Sequence, residues 1–318
     1  MITDQELQAC ILMIYGLLAA ATIISFFLEK TIIAKRGMQT FINIRQRINS
    51  WWVMMTVLVV AIFLGKIGTI ILFALISFLA LREYITMTPT RPADHRALFW
   101  VFFILLPYQY LLIGLQWYGM FSIFIPVYAF LIVPMRSVLK DDFDRFLERT
   151  AKIQWGMMVC VYFISHIPAL LYLEVDNFQG SNVKLLLFLI LVSQMNDVFQ
   201  YMVGKTSGKT KIAPAISPNK TVEGFVGGMI LAVLFGSMLW WATPFTKFQA
   251  AVISAAICLV GFFGDLTMSA IKRDRGVKDY SNLIRGHGGM LDRIDSLCFA
   301  APVYFHIVRY YFSSTQNF

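Results

Sequence analysis

The chain has 318 residues, of which 58% are hydrophobic and only 14% charged, with a net charge of +9 and a mean hydropathy of +0.68. A soluble domain carries roughly a quarter charged residues, so this composition excludes a soluble fold with one anchor and predicts an all-α, polytopic transmembrane bundle. The basic surplus sits in loops between apolar runs, which points to membrane lipids and topology rather than to nucleic acid.

A hydrocarbon core about 30 Å thick needs about 20 apolar residues per helix. Ten runs qualify, some of them short: 8–28, 51–65, 67–81, 97–115, 117–134, 154–173, 183–203, 224–242, 249–271 and 293–312. The second and third are split only by Gly65-Lys66 and read either as two spans or as one long bent helix. With ten spans, 23 of the 27 basic residues fall in the loops after odd-numbered helices, leaving Lys66, Lys184, Lys247 and Arg309 on the other side. Cytoplasmic loops are enriched in Lys and Arg, so both termini are expected on the non-cytoplasmic side. The first span follows Asp4 and Glu6 rather than a basic stretch, which argues against a signal peptide.

The content divides the chain near residue 180. Residues 1–180 hold long spans, basic loops and almost no polar groups inside the spans. Within them, Thr31–Ser50 is basic and amphipathic, with anionic headgroups as its expected neighbour. Lys140–Lys152 reads either as a short interfacial helix or as a solvated loop that fixes topology. Cys10, Cys160, Cys258 and Cys298 lie in apolar spans without ligand spacing and read as packing residues, as do His95, His166 and His306 in loops or packing.

Residues 181–318 carry the unusual polar groups. Ser193, Asp197, Gln200 and Gly204 share one helical face, with Asn196 beside it, and such a face needs a wet cavity. A loop rich in Gly, Ser, Thr, Lys and Pro follows. It ends in Ser217-Pro218-Asn219-Lys220-Thr221, where Thr221 is a candidate cap for the next helix and the N–H groups and ammonium charges suit phosphate. The spacing is not that of a P-loop; taken alone, the stretch equally fits a topogenic basic loop.

The segment Ser269–Asp295 is dense in charge between two apolar runs. Charge beside the bilayer is expensive, which makes this the principal functional-site candidate. Asp265, Ser269 and Lys272 share a face, as do Asp292 and Asp295. Asp265, Asp292 and Asp295 together form an oxygen-only set of the kind Mg2+ prefers. An ion pair of Asp265 with Lys272 or Arg273 is the competing account. The glycines around His287, including Gly288 and Gly289, let backbone approach an anion, and His287 is better suited to bonding phosphate or a carboxylate than to zinc.

The run Ser269, Lys272, Arg273, Lys278, Asp279, then His287, Gly288, Gly289, Asp292, Arg293 and Asp295 resembles the signature of the phosphatidate cytidylyltransferases, the CDP-diacylglycerol synthases. Ser217–Gly228 is similar to a second block of that family. Val222, Ser207, Arg285 and the Asn196–Tyr201 stretch depart from its usual pattern, which suggests a divergent paralogue.

The resemblance implies transfer from CTP to phosphatidate at the cytoplasmic face, in an integral protein of a bacterial inner membrane. Lys220, Lys272, Arg273, Asp292 and Asp295 become the expected catalytic set. Asn196, Asp197, Ser217, Asn219, Lys220, Thr221, Ser269, Lys278, Asp279, His287, Gly288, Gly289 and Arg293 become the expected substrate contacts. Mg2+ would sit on Asp265, Asp292 and Asp295; a second cation and a homodimer stay open. Rival readings are a transferase acting on another lipid phosphate, a transporter or flippase for an anionic lipid or nucleotide, and a degraded scaffold. The concentration of polar motifs in one half argues against the repeated halves common in transporters.

Overall fold

The computed structural model describes residues 4–27, 29, 33, 38–176, 178, 182–281 and 288–313. The calls on His287 and Arg285, and most of Thr31–Met38, lie outside those residues. Among the described residues ten long helices follow in chain order: α1 (Gln5–Phe27), α2 (Met38–Phe63), α3 (Gly65–Met87), α4 (Pro92–Gly114), α5 (Tyr118–Val138), α6 (Phe146–Tyr172), α7 (Val183–Ser207), α8 (Val222–Met238), α9 (Lys247–Asp274) and α10 (Leu291–Phe312). Each expected apolar run falls on one of them. Eight, all except α8 and α10, are long and apolar enough to cross a membrane. The protein is an integral membrane protein.

Two helices, not one bent helix, occupy residues 38–87. Only Leu64 separates α2 from α3, and Gly65 turns the chain at φ +84°, a conformation that favours glycine. The Thr69 hydroxyl reaches back to the Ala61 carbonyl at 3.5 Å, closing the hairpin.

Lys140–Lys152 does not form a separate interfacial helix. Residues before Phe146 form a turn, with Asp141 and Arg145 at positive φ, and α6 then runs from Phe146 into the bundle. The reason is Arg149, which is buried and pairs with Asp94 at 3.2 Å and Asp142 at 2.9 Å. That charge ties the first turn of α6 to the start of α4.

Helix α6 is the central element: 83% of its most apolar window is buried, against 17% for α1. Helices α4, α5 and α6 each contain a π-helical stretch, Val101–Leu105, Phe124–Ala129 and Met158–Phe163. Pro107, Pro126 and Pro168 lie beside or within them, and proline removes the N–H that an unbroken α ladder needs. All four cysteines are free and buried, and His166 packs fully buried against Phe121, Tyr162 and His306.

The first half is more polar inside than its hydropathy suggests. Tyr110 and Ser77 hydroxyls meet at 2.6 Å, and Gln109 Nε2 donates to Ser165 at 3.2 Å. Burial makes such bonds worth keeping, because an unpaired polar group in hydrocarbon costs several kcal/mol, roughly. Lys184 is buried on α7 and pairs with Asp4 at 3.2 Å and with Glu6, fixing the start of α1 against α7.

The loop after α7 is not irregular throughout. It contains a two-stranded antiparallel hairpin, β1 (Lys211–Ala213) and β2 (Ser217–Thr221), with Lys211 opposite Thr221 and Ala213 opposite Ser217. Glu223 closes its base by accepting the Lys209 N–H at 2.9 Å and the Thr210 N–H at 3.1 Å. Helices α7 and α8 pack almost backbone to backbone. A Cβ on Gly224 would stand 2.9 Å from the Gly204 Cα, and one on Gly228 would stand 2.5 Å from the Gln200 nitrogen.

Candidate active site

The second expected block forms a wall of a cavity of about 230 Å³ between α7, β2, α8 and α9. Asp197, Gln200, Ser217, Asn219, Lys220, Thr221 and Asp265 are among the residues that line it. Thr221 caps α8: its hydroxyl oxygen accepts the Gly224 N–H at 3.1 Å. The cap turns the positive end of the α8 dipole toward the cavity wall. Lys220 extends over the Phe262 ring, 4.6 Å from its centre, and its ammonium lies 2.6 Å from Asp265 Oδ2. Asp265 Oδ1 accepts from the Ser269 hydroxyl one helical turn later, at 3.2 Å. The partner of Asp265 is therefore Lys220 of the other block, not Lys272 or Arg273 on its own helix.

Helices α7 and α10 meet through Ser296. Its hydroxyl donates to Asp197 Oδ2 at 2.8 Å, and its N–H donates to Asp295 Oδ1 at 2.9 Å. Ser193 lies 3.5 Å from the same hydroxyl, and Asn196, buried beside it, accepts from Gln200 Nε2 at 2.9 Å. Asp197 and Asp295 both bond to Ser296, and Asp197 and Asp265 line the same cavity. Like charges gathered in a desolvated place repel unless a cation offsets them.

Asp292 stands apart from that group. Its Oδ1 is 2.7 Å from the Lys272 ammonium, and its Oδ2 accepts the Tyr280 N–H at 2.8 Å and the Gly289 N–H at 2.9 Å. Asp292 is buried, 7% exposed. The expected ligand set Asp265, Asp292 and Asp295 is not assembled: Asp292 staples the turn before α10, and Lys272 neutralises Asp292 rather than facing the cavity. Among the described residues no three His, Cys, Asp or Glu side chains form a ready ligand group. Asp197 and Asp265 line the cavity and Asp295 joins Asp197 through Ser296, so these oxygen donors, of the kind Mg2+ takes, lie on this side of the site without forming an assembled group.

The remaining expected residues divide. Arg273 is exposed and ties the two blocks together, donating through Nε to the Ile216 carbonyl at 3.1 Å and through Nη1 to the Val277 carbonyl at 2.9 Å. Lys278 and Asp279 are exposed on the loop after α9. Gly288 adopts φ +81° beside Asp292, and Arg293 projects from α10 between Asp292 and Asp295 in sequence. Of the departures from the family pattern, Gln200 lines the cavity while Val222 is 41% exposed and does not.

One residue that positions the signature turn was not anticipated. Glu83 of α3 is 7% exposed. Its Oε1 accepts the Met290 N–H at 2.9 Å and the Ser281 hydroxyl at 2.6 Å, and its Oε2 accepts the Leu291 N–H at 2.9 Å. A carboxylate from the first half thus satisfies the open N–H groups at the start of α10. Gly289 is required there, because a Cβ would press into the Glu83 carboxylate. The available signal was Glu83 beside Arg82 at the end of an apolar run; Ser296, an ordinary Ser within an apolar run, gave none.

A model of the cytidylyltransferase family matches residues 45–311, which takes in α2 through α10 and both motif blocks. The chain belongs to that family. It is 40% identical to the uncharacterized protein YnbB of Escherichia coli over 308 residues, 96% of this chain and 99% of that one. It is 30% identical to the phosphatidate cytidylyltransferase of Bacillus subtilis over 84% of this chain and 98% of that protein. It is 42% identical to the phosphatidate cytidylyltransferase of Aquifex aeolicus over 46% of this chain and 55% of that protein.

Proposed function

We propose that the protein transfers the cytidylyl group of CTP to phosphatidate, giving CDP-diacylglycerol and pyrophosphate, in a Mg2+-dependent step of phospholipid synthesis. In this reading the active site faces the cytoplasm from a bacterial inner membrane, with both termini on the other side. The observation that carries it is the convergence of Lys220, the capped end of α8 and the carboxylates Asp197 and Asp265 on one cavity.

The phosphate monoester of the lipid attacks the α-phosphorus of CTP. A phosphate monoester has a second pKa of about 6, so it is already largely dianionic at neutral pH and needs no strong general base. Catalysis then rests on placement and on charge. Lys220 exchanges Asp265 for a triphosphate oxygen, while β2 and the N–H groups at the α8 end flank the phosphates. Asn219 and Ser217 add polar contacts from the hairpin. Asp197, Asp265 and Asp295 would hold Mg2+, which when bound supplies positive charge for the departing pyrophosphate. Ser296 keeps Asp197 and Asp295 in register. Lys272, Asp292 and Arg273 position the two blocks, and Arg293 neutralises the lipid phosphate.

A second acceptor class, another lipid phosphate such as a polyprenyl or ether-lipid phosphate, is favoured by one feature, Gln200 in the cavity wall. The test is pyrophosphate release from CTP by detergent-purified protein with Mg2+ and phosphatidate, beside Asp295→Ala. Turnover that needs CTP, lipid and Asp295 supports the proposal. Mg·CTP binding without turnover on phosphatidate moves the second class forward. Folded protein with neither binding nor turnover sinks the transferase reading.

A further inference from the structure

The turn between α5 and α6 is built more firmly than a connecting loop requires. Arg149 is buried, and besides Asp94 and the Asp142 carboxylate it holds two carbonyls of the turn. It donates through Nη1 to the Asp144 carbonyl at 2.7 Å and through Nη2 to the Asp142 carbonyl at 3.0 Å. Arg91, just before α4, pairs with Asp142 at 3.4 Å and with Asp144. The Asp144 N–H closes on Asp142 Oδ1 at 3.2 Å. Asp141 and Arg145 take φ +52° and +47°, a region that a residue other than glycine keeps only where its surroundings impose it. What this frame holds outward is apolar: Phe143 is 89% exposed and Leu147 80%.

Those side chains continue a surface suited to lipid. Val127, Leu131, Met135 and Val138 are exposed at intervals of four, four and three, one stripe of an apolar helix long enough to span, and the exposed Leu139 carries it into the turn. Helix α6 has such a stripe at one end only. Leu147, Ala151 and Trp155 are exposed at intervals of four, whereas no residue from Gly156 to Leu173 is exposed. Gln154 Nε2 donates to the Phe130 carbonyl at 2.8 Å, which sets the two stripes side by side. The Arg136 guanidinium, one turn before Lys140, lies 4.9 Å from the centre of the Trp100 ring. Basic and aromatic side chains of this kind gather where membrane meets water.

Charge does not choose what covers the turn. Residues 140–152 hold four cations and four carboxylates. Asp142 and Asp144 face Arg91 and Arg149, and Glu148 faces Lys152. The segment offers neither a basic patch for anionic headgroups nor an acidic one for a basic protein, so burial of apolar surface is the attraction that remains. We propose that Leu139, Phe143 and Leu147 form an interfacial wedge. The rigid turn inserts them below the headgroups of the adjoining leaflet, beside the lipid-facing stripe of α5, and apolar burial rather than anionic lipid holds them there. A wedge also fixes the depth of α6. A Cβ on Gly156 would stand 2.7 Å from the Tyr84 ring, so α6 packs closely on α3 beside Glu83, which bonds to the start of α10. The depth of Phe143 in the leaflet thereby sets the height of the signature turn.

The experiment places a nitroxide on full-length protein in phosphatidylcholine bilayers and compares its collisions with oxygen, which enters lipid, and with a water-soluble nickel chelate, which does not. The four native cysteines are buried, and the unmodified protein gives the background. Phe143→Cys carries the test label, Leu131→Cys marks the lipid face of α5, and Lys211→Cys marks the exposed hairpin. An interfacial group lies about 5–10 Å below the headgroup boundary, so the oxygen-to-chelate ratio at Phe143 should match Leu131 and exceed Lys211 by about tenfold. Phosphatidylglycerol or added salt should change that ratio by less than about twofold. With the label at Leu139→Cys, Phe143→Asp together with Leu147→Asp should lower the ratio by about threefold.

A ratio at Phe143 equal to that at Lys211 puts the turn in water and overturns the wedge. A label shielded from both oxygen and chelate means that protein, a second copy of the chain or another partner, covers the turn, and overturns it as well. Insertion that appears only with phosphatidylglycerol, or that salt abolishes, overturns the apolar mode. If the paired Asp variant fails to fold, the comparison of Phe143 with Leu131 and Lys211 decides alone.

Discussion

Replacing Glu83 with Ala tests whether the signature turn is held from the first half of the chain. The substitution leaves the N–H groups of Met290 and Leu291 and the Ser281 hydroxyl without their acceptor. Each stranded buried donor costs about 1–3 kcal/mol, so the two N–H groups alone amount to about 2–6 kcal/mol. The lost charge at the α10 terminus adds about 0.3–1 kcal/mol. At about 2–4 °C per kcal/mol, the melting temperature should fall by about 5–28 °C. Glu83→Gln keeps one acceptor oxygen and should lose about 1–2 kcal/mol. Thermal unfolding in detergent gives the first number, and amide exchange over residues 288–297 should quicken in both variants. An unchanged melting temperature with unchanged exchange in Glu83→Ala would refute the clamp.

Lys272→Met should cost about 3–5 kcal/mol by stranding the buried Asp292 carboxylate, and adding Asp292→Asn should restore much of it, read as a double-mutant cycle in denaturant. Gly228→Ala should lose about 1–3 kcal/mol, and Gln200→Ala should fail to rescue it, because the new Cβ meets the Gln200 backbone at 2.5–2.6 Å. Thr221→Ala should lose about 1 kcal/mol and Thr221→Ser far less, since serine retains the cap. Chelating divalent cations should stop pyrophosphate release in the assay above, and Mg2+ should restore it.

The helical class was legible because backbone in hydrocarbon has few options, and each of the ten apolar runs lies on a helix. The Thr221 cap was legible because it is a local bond between residues three apart. What escaped depends on which helices meet. Spacing put Asp292 and Asp295 on one face, but the loop before α10 folds Tyr280, Gly289 and Lys272 onto Asp292 alone. Asp197 joins Asp295 through Ser296, 99 residues from Asp197, a distance no periodicity encodes. Glu83 was hidden by the same limit: its bonds are all to residues about 200 positions away, so the first half looked like anchor when it supplies a clamp. The hairpin went unseen because its strands are three and five residues long and rich in Pro and Lys.

The Glu83 clamp also sets a schedule for biogenesis. Its bond to the Met290 N–H spans 207 residues. At about 5–20 residues per second, synthesis of the intervening chain takes on the order of 10–40 s. Over that interval a carboxylate on an early membrane helix has no native partner, and water, headgroups or an insertion factor must carry it. Completion of α10 ends the wait. A chain truncated before residue 288 never reaches that point, and its Glu83 lacks the Met290 and Leu291 donors.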